Sequence, residues 1–151
     1  MGAVPAWGPD EMFKNINWIA VIIAVVVLEV LGFLWYGPML GGAWTDAYTD
    51  FVGRAPDMSN VVVTQSLGVV NTLILVLGLG WVFARMGINS LAGIGAAAAV
   101  WFFFNFTTMA IDYLYMSFTP NLVIINMGYQ LVSYLVAGAI LGLMPGRAKA
   151  A

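Results

Sequence analysis

Few residues in this chain could do chemistry, and their surroundings single them out. Glu29 is the only charged residue between positions 15 and 45, inside the run VVVLEVLGFLWYG. Gln65, Asn71, Asn105, Asn126 and Gln130 lie in three further apolar runs, with Asp112 near the end of the second of these. The chain is 62% hydrophobic and 8% charged, with a mean hydropathy of +0.95. A soluble domain carries about a quarter charged residues, so this surface must meet lipid. In lipid an ionisable side chain is costly and marks an ion, proton or solute path, or a partner contact. Amides at the same depth exchange hydrogen bonds between helices.

Other chemistry is excluded by composition. The sequence has no cysteine, which removes disulfides, thiolate metal sites and a Cys nucleophile, and no histidine, which removes the usual proton shuttle and commonest metal ligand. No metal set, nucleotide loop or paired nucleophile and base is evident, so no cofactor is implied and the chain is expected not to be an enzyme. Net charge is −2, and the five Lys and Arg residues are spread thinly, which excludes a nucleic-acid partner.

The elements that position these groups follow from length. A spanning helix needs ~20 mostly apolar residues at ~1.5 Å each. Four stretches qualify: residues 17–36, 60–84, 90–113 and 121–144. Gly37-Pro38 is expected to stop the first, because proline lacks an amide and clashes with the preceding turn. Asp57 and Ser59 are candidate caps for the second. Pro120 precedes the fourth and Pro145-Gly146 follows it. The expected fold is all-α: one polytopic membrane domain over residues 1–151, with tails at 1–13 and 146–151 and the first run retained as a helix. Between the first two spans, Leu40, Trp44, Tyr48 and Phe51 recur at helical spacing with Asp46 and Asp50 between them, predicting a short interfacial helix.

Four spans put both ends on one side. Lys14, Arg85, Arg147 and Lys149 fall there, and only Arg54 opposite, so the positive-inside rule places both termini in the cytoplasm. Trp18 and Trp81 at one level, and Trp35, Tyr36, Trp44, Tyr113 and Tyr115 at the other, fit headgroup belts.

Counted from the outer span ends, Glu29 sits about 10 Å deep, Asn71 and Asn105 about 15 Å, Gln130 about 13 Å, and Gln65 and Asn126 about 8 Å. Asn126, Gln130 and Tyr134 share one helix face, as do Asn105, Thr108 and Asp112, Gln65, Gly68 and Thr72, and Glu29, Phe33 and Tyr36. These spacings predict an inward polar cluster near Glu29. Two roles are open to Glu29. No Lys or Arg lies at its depth, so a protonatable acid among amides suits proton-coupled movement; alternatively it holds helices or subunits together. Gly138 and Gly142 form a GxxxG pair, and Gly95 with Ala99 a second small-residue pair, both expected at helix contacts.

The ordered set of NW, GFLWYGP with a following AW, DYLY, INMGYQLV and GAILGL resembles the small bacterial four-helix membrane proteins of domain-of-unknown-function family 1761. The match runs from Asn17 to Leu143. It implies four spans and supplies no activity; the inner membrane is the expected location. The family pattern often carries His where Gln130 stands, and a small or apolar residue where Glu29 stands. The expected function is a small binding or permeation bundle for a cation, proton or small solute, as a homo-oligomer; the alternative is an accessory subunit of a larger membrane complex.

Overall fold

Asn17 begins the first helix by accepting hydrogen bonds at its Oδ1 from the Ile19 and Ala20 amides (3.1 and 3.2 Å). Those amides have no carbonyl within the helix, so the side chain supplies what lipid cannot. The computed structural model describes residues 13–146, which are helical in four long apolar segments with no strand among them. The tail up to residue 12 and the basic pair Arg147 and Lys149 lie outside the described residues.

The first span is α1 (Trp18–Leu34), continued by a widened turn at Trp35–Met39. The regular α-helix thus ends at Leu34 and the chain kinks at Gly37-Pro38, where proline is expected to stop it. The reason is local: the Leu40 amide donates to the Trp35 carbonyl at 2.9 Å, a five-residue step, and Gly37 leaves helical geometry (φ −107°, ψ −108°). The five-residue step bridges the kink, where Pro38 has no amide to donate. Helix α2 (Gly41–Val52) follows and rests on this turn and on the fourth span, with Ala47 buried beneath it. Gly53 ends α2 in the left-handed region (φ +77°), which a Cβ disfavours.

The second span is α3 (Val61–Met86). Asn60 precedes it without a side-chain cap, and Asp57 instead accepts from the Ser59 amide at 2.9 Å, so Asp57 shapes the approaching turn rather than capping the helix. The third span consists of α4 (Ala92–Val100), a π-type turn (Trp101–Phe106) and α5 (Thr107–Tyr115). The fourth is α6 (Pro120–Leu143), with Pro120 in its first turn, where no amide partner is needed.

Helix α6 is the central element and packs on α1, α3 and α4. The tight core lies toward the end that holds Asn17 and Gly146: Ala20, Val21, Ala24, Leu28, Val76, Leu79, Phe83, Ala97, Ala137 and Leu141 are buried. Small residues let backbones meet there, since without a hydrophobic force between helices close packing does the holding. A Cβ on Gly138 would lie 2.5 Å from the Gly93 carbonyl oxygen and 2.6 Å from the Ala97 Cβ, and one on Gly142 would overlap the Ser90 carbonyl. Gly95 differs from expectation: it is exposed, a methyl group added to it would have no neighbouring atom within 4 Å, and Ala99 is exposed too. The contact face of α4 runs through Gly93 and Ala97.

Toward the other end the bundle opens. On α3 every residue from 61 to 71 is exposed, and the helix joins the core through Val76, Leu79, Gly80 and Phe83, with Leu75, Leu77, Trp81 and Val82 packed against it. This opening positions the polar residues.

Candidate functional site

At the open end, α1 and α6 interlock. Trp35 Nε1 donates to the Ile125 carbonyl at 3.1 Å, and the Tyr36 hydroxyl donates to Asn126 Oδ1 at 3.1 Å. Two glycines make room: a Cβ on Gly32 would lie 2.9 Å from the Tyr129 hydroxyl, and one on Gly128 would lie 3.3 Å from the Trp35 ring. Tyr36 meets Tyr129 edge-on at 5.0 Å, an arrangement aromatic quadrupoles favour. The GFLWYG and GYQ runs are thus the two halves of one joint.

Two pockets share Tyr36 as a wall. The inner one, about 260 Å³, is lined by Leu28, Tyr36, Asn71, Thr72, Leu75, Asn105, Tyr129, Gln130, Ser133 and Tyr134. Across it Asn105 Nδ2 donates to Gln130 Oε1 at 2.6 Å. Asn105 sits in the π-type turn of the third span, and Tyr36 precedes the kink at Gly37. Such π-type turns are rare and frequently sit at functional sites. The hydroxyls of Ser133 and Thr72 donate to carbonyls of their own helices, Tyr129 and Gly68, so toward the pocket they act as acceptors. Gln130's amide hydrogens, Asn105's carbonyl oxygen and the whole Asn71 amide make no hydrogen bond among the described residues. The wall therefore offers both donors and acceptors, and no formal charge.

The outer pocket, about 580 Å³, lies between α2, the first half of α3 and α6. Tyr36, Trp44, Tyr48, Phe51 and Phe118 line it, with Asp57, Gln65 and Asn126 among the polar members. The Ser59 backbone amide, reinforced by its hydroxyl, holds the Asp57 carboxyl below the usual carboxylate range, so Asp57 is an anion at neutral pH.

The sequence-derived residues divide between these spaces. Asn71, Asn105 and Gln130 reach the inner pocket, and Gln65 and Asn126 the outer. Tyr36 belongs to both, Trp44 to the outer, and Trp35 to the joint. Glu29 lines neither. It is half-buried beside Tyr129, and Leu28 takes its expected place on the pocket wall. One residue along a helix turns the side chain by about 100°. Phe33, expected on the same inward face, is 73% exposed. Of the expected cluster, Asn71, Asn105 and Gln130 share the inner pocket, and Glu29 lies beside its wall residue Tyr129. Thr108 and Asp112 are likewise exposed while Asn105 turns inward, because the π-type turn adds a residue and rotates the rest of the span.

Sequence reasoning missed Tyr129, Ser133, Met58 and Phe118 as wall residues. The glycine before Tyr129 and the one facing its hydroxyl carry the only sequence signal for the first of these.

This architecture is that of a multi-pass, all-helical membrane protein whose polar interior is confined to one half. The family model described as "protein of unknown function (DUF1761)" matches residues 19–142, and the chain belongs to that family. No curated protein and no solved structure matches it.

Proposed function

We propose that this protein is a small non-enzymatic bundle that binds, or passes, a small solute within the membrane, cations included. The inner pocket carries the reading: three different spans contribute amides with hydrogen-bonding capacity left over, in the half of the molecule that the core leaves open. Acyl chains offer no hydrogen bonds, so such a wall is satisfied by water or by a solute that brings its own polar groups. No nucleophile with an adjacent base lines either pocket, which favours binding or passage over covalent turnover.

The protein resides in the inner membrane with both ends cytoplasmic. Lys14 and Arg85 share the end that holds Gly146, with Arg147 and Lys149 next in the sequence, and Arg54 lies opposite. It works as a homo-oligomer, because the exposed stretch of α3 carries Gln65 and Asn71, which a neighbouring copy would shelter from lipid. The same exposed stretch supports a second reading, an accessory subunit that packs against a larger membrane complex.

The test is equilibrium binding, and uptake into proteoliposomes, with a panel of labelled small polar solutes and inorganic cations. Saturable, protein-dependent binding of at least one is expected; binding of none rejects the reading. Glu29 lines neither pocket, so Glu29→Gln should leave affinity within about twofold, the range of substitutions away from a site. A loss of about tenfold or more would put Glu29 in the solute path.

A further inference from the structure

We propose that the outer pocket is a site for a substituted ammonium ion, held on aromatic faces beside the carboxylate of Asp57. The inference rests on the solute-binding reading and names the chemical class it admits. Five aromatic rings from three separate parts of the chain line one space: Tyr36 from the segment after α1, Trp44, Tyr48 and Phe51 from α2, and Phe118 from the turn before α6. Their planes differ in direction. Tyr36 stands edge-on to Trp44 at 5.8 Å with 77° between planes, and Trp44 lies 32° from Tyr48 at 5.4 Å. Phe51 stacks on Phe118 at 4.3 Å. The rings lining the pocket therefore do not share one plane.

The charge balance selects the ligand. Asp57 is the one formal charge on this lining, and Lys and Arg are absent from it. The amides of Gln65 and Asn126 add oxygen acceptors. An aromatic face carries negative quadrupole potential, and with an anion beside it the pocket attracts a cation. An inorganic ion would keep its water and gain little from ring faces. An ammonium nitrogen sheathed in methyl or methylene groups satisfies both the apolar rings and the carboxylate. The volume of about 580 Å³ is ample for such a group with a substituent attached. The ligand is either a free organic cation or the choline headgroup of a lipid, which share this chemistry.

The experiment uses the full chain in nanodiscs of phosphatidylglycerol, a lipid with no ammonium group. The protein is titrated with choline and with 3,3-dimethylbutan-1-ol, the neutral isostere in which carbon replaces the ammonium nitrogen. Choline should bind about tenfold more tightly than the alcohol. Trp44→Ala should lose about that factor and Trp44→Phe should retain most of the affinity, because a ring face remains. Repeating the choline titration in phosphatidylcholine nanodiscs separates the sources. A marked loss of free-choline affinity there assigns the pocket to the lipid headgroup, and unchanged affinity assigns it to a soluble cation. Equal binding of the alcohol and choline overturns the proposal without any variant, and so does equal loss in Trp44→Phe and Trp44→Ala. If choline fails to bind while other polar solutes do, the ammonium assignment falls and the solute-binding reading stands; if no solute binds, both fall.

Discussion

Gly138→Leu should be the most damaging single substitution in the chain, costing about 3 kcal/mol or more and lowering the melting temperature in detergent by about 10 °C. At Gly138 even a methyl group would meet the Gly93 carbonyl oxygen at 2.5 Å and the Ala97 Cβ at 2.6 Å. One of these neighbours is backbone and the other the shortest of side chains, so neither can swing aside. The helices α4 and α6 must separate, and that contact is the main attachment of the third span to the bundle. Gly95→Leu is the matched control. Gly95 is a glycine of α4, the helix that Gly138 packs against, but it faces open space, so this variant's stability should stay within about 0.5 kcal/mol of the parent. Thermal unfolding followed by circular dichroism measures both. Comparable damage at the two positions would mean that α4 packs through a different face.

Gln130→Leu should separate function from packing. It removes the 2.6 Å hydrogen bond from Asn105 and leaves that amide facing an apolar side chain. Interhelical polar contacts in membranes average under about 1 kcal/mol, so the bundle should survive with a modest loss of stability. Solute affinity should fall about tenfold or more, because the site loses an acceptor and a donor pair that the solute uses. Asn105→Leu with Gln130→Leu should cost less stability than the two single losses summed, since no orphaned amide remains. A Gln130→Leu protein that binds solute normally but unfolds several degrees earlier would reverse the assignment and make the pair a structural staple. Isothermal titration beside thermal unfolding on the same preparations reads both quantities.

The spans were legible in the sequence because lipid imposes a length and a polarity that hydropathy reads directly. The turns within them were not. WFFFNF is apolar on nearly every side, so no polar stripe records the added residue at the π-type turn, and Thr108 and Asp112 read as facing inward when they face out. The same applies to residues 92–99, where Ala and Gly dominate: any small-residue register fits, and the Gly93–Ala97 face cannot be told from Gly95–Ala99 without the partner helix. Asn71, Asn105, Asn126 and Gln130 were legible as interior polar groups because lipid leaves amides few alternatives. The division into two pockets was not, because the outer one is assembled from α2, Phe118 and the approach to α3, segments that meet only through the fold. The exact place of Glu29 was illegible for a related reason. A lone acid in an apolar run draws attention, yet a shift of one position sets it beside the cavity wall, with Leu28 on it.

A solute-binding inner pocket must be accessible to water, which a dry packing cluster is not. The chain has no cysteine, so single cysteines report on accessibility without background. The most direct measurement is the rate at which a water-soluble, charged methanethiosulfonate modifies Gln130→Cys and Ser133→Cys in nanodiscs, compared with Phe103→Cys, whose side chain faces outward and is 65% exposed at mid-span. Thiolate formation needs water, so the pocket positions should react at least about tenfold faster than the outward one, and solute should protect them. Pocket cysteines as inert as Phe103→Cys would contradict the account and leave the amides as helix-packing contacts alone.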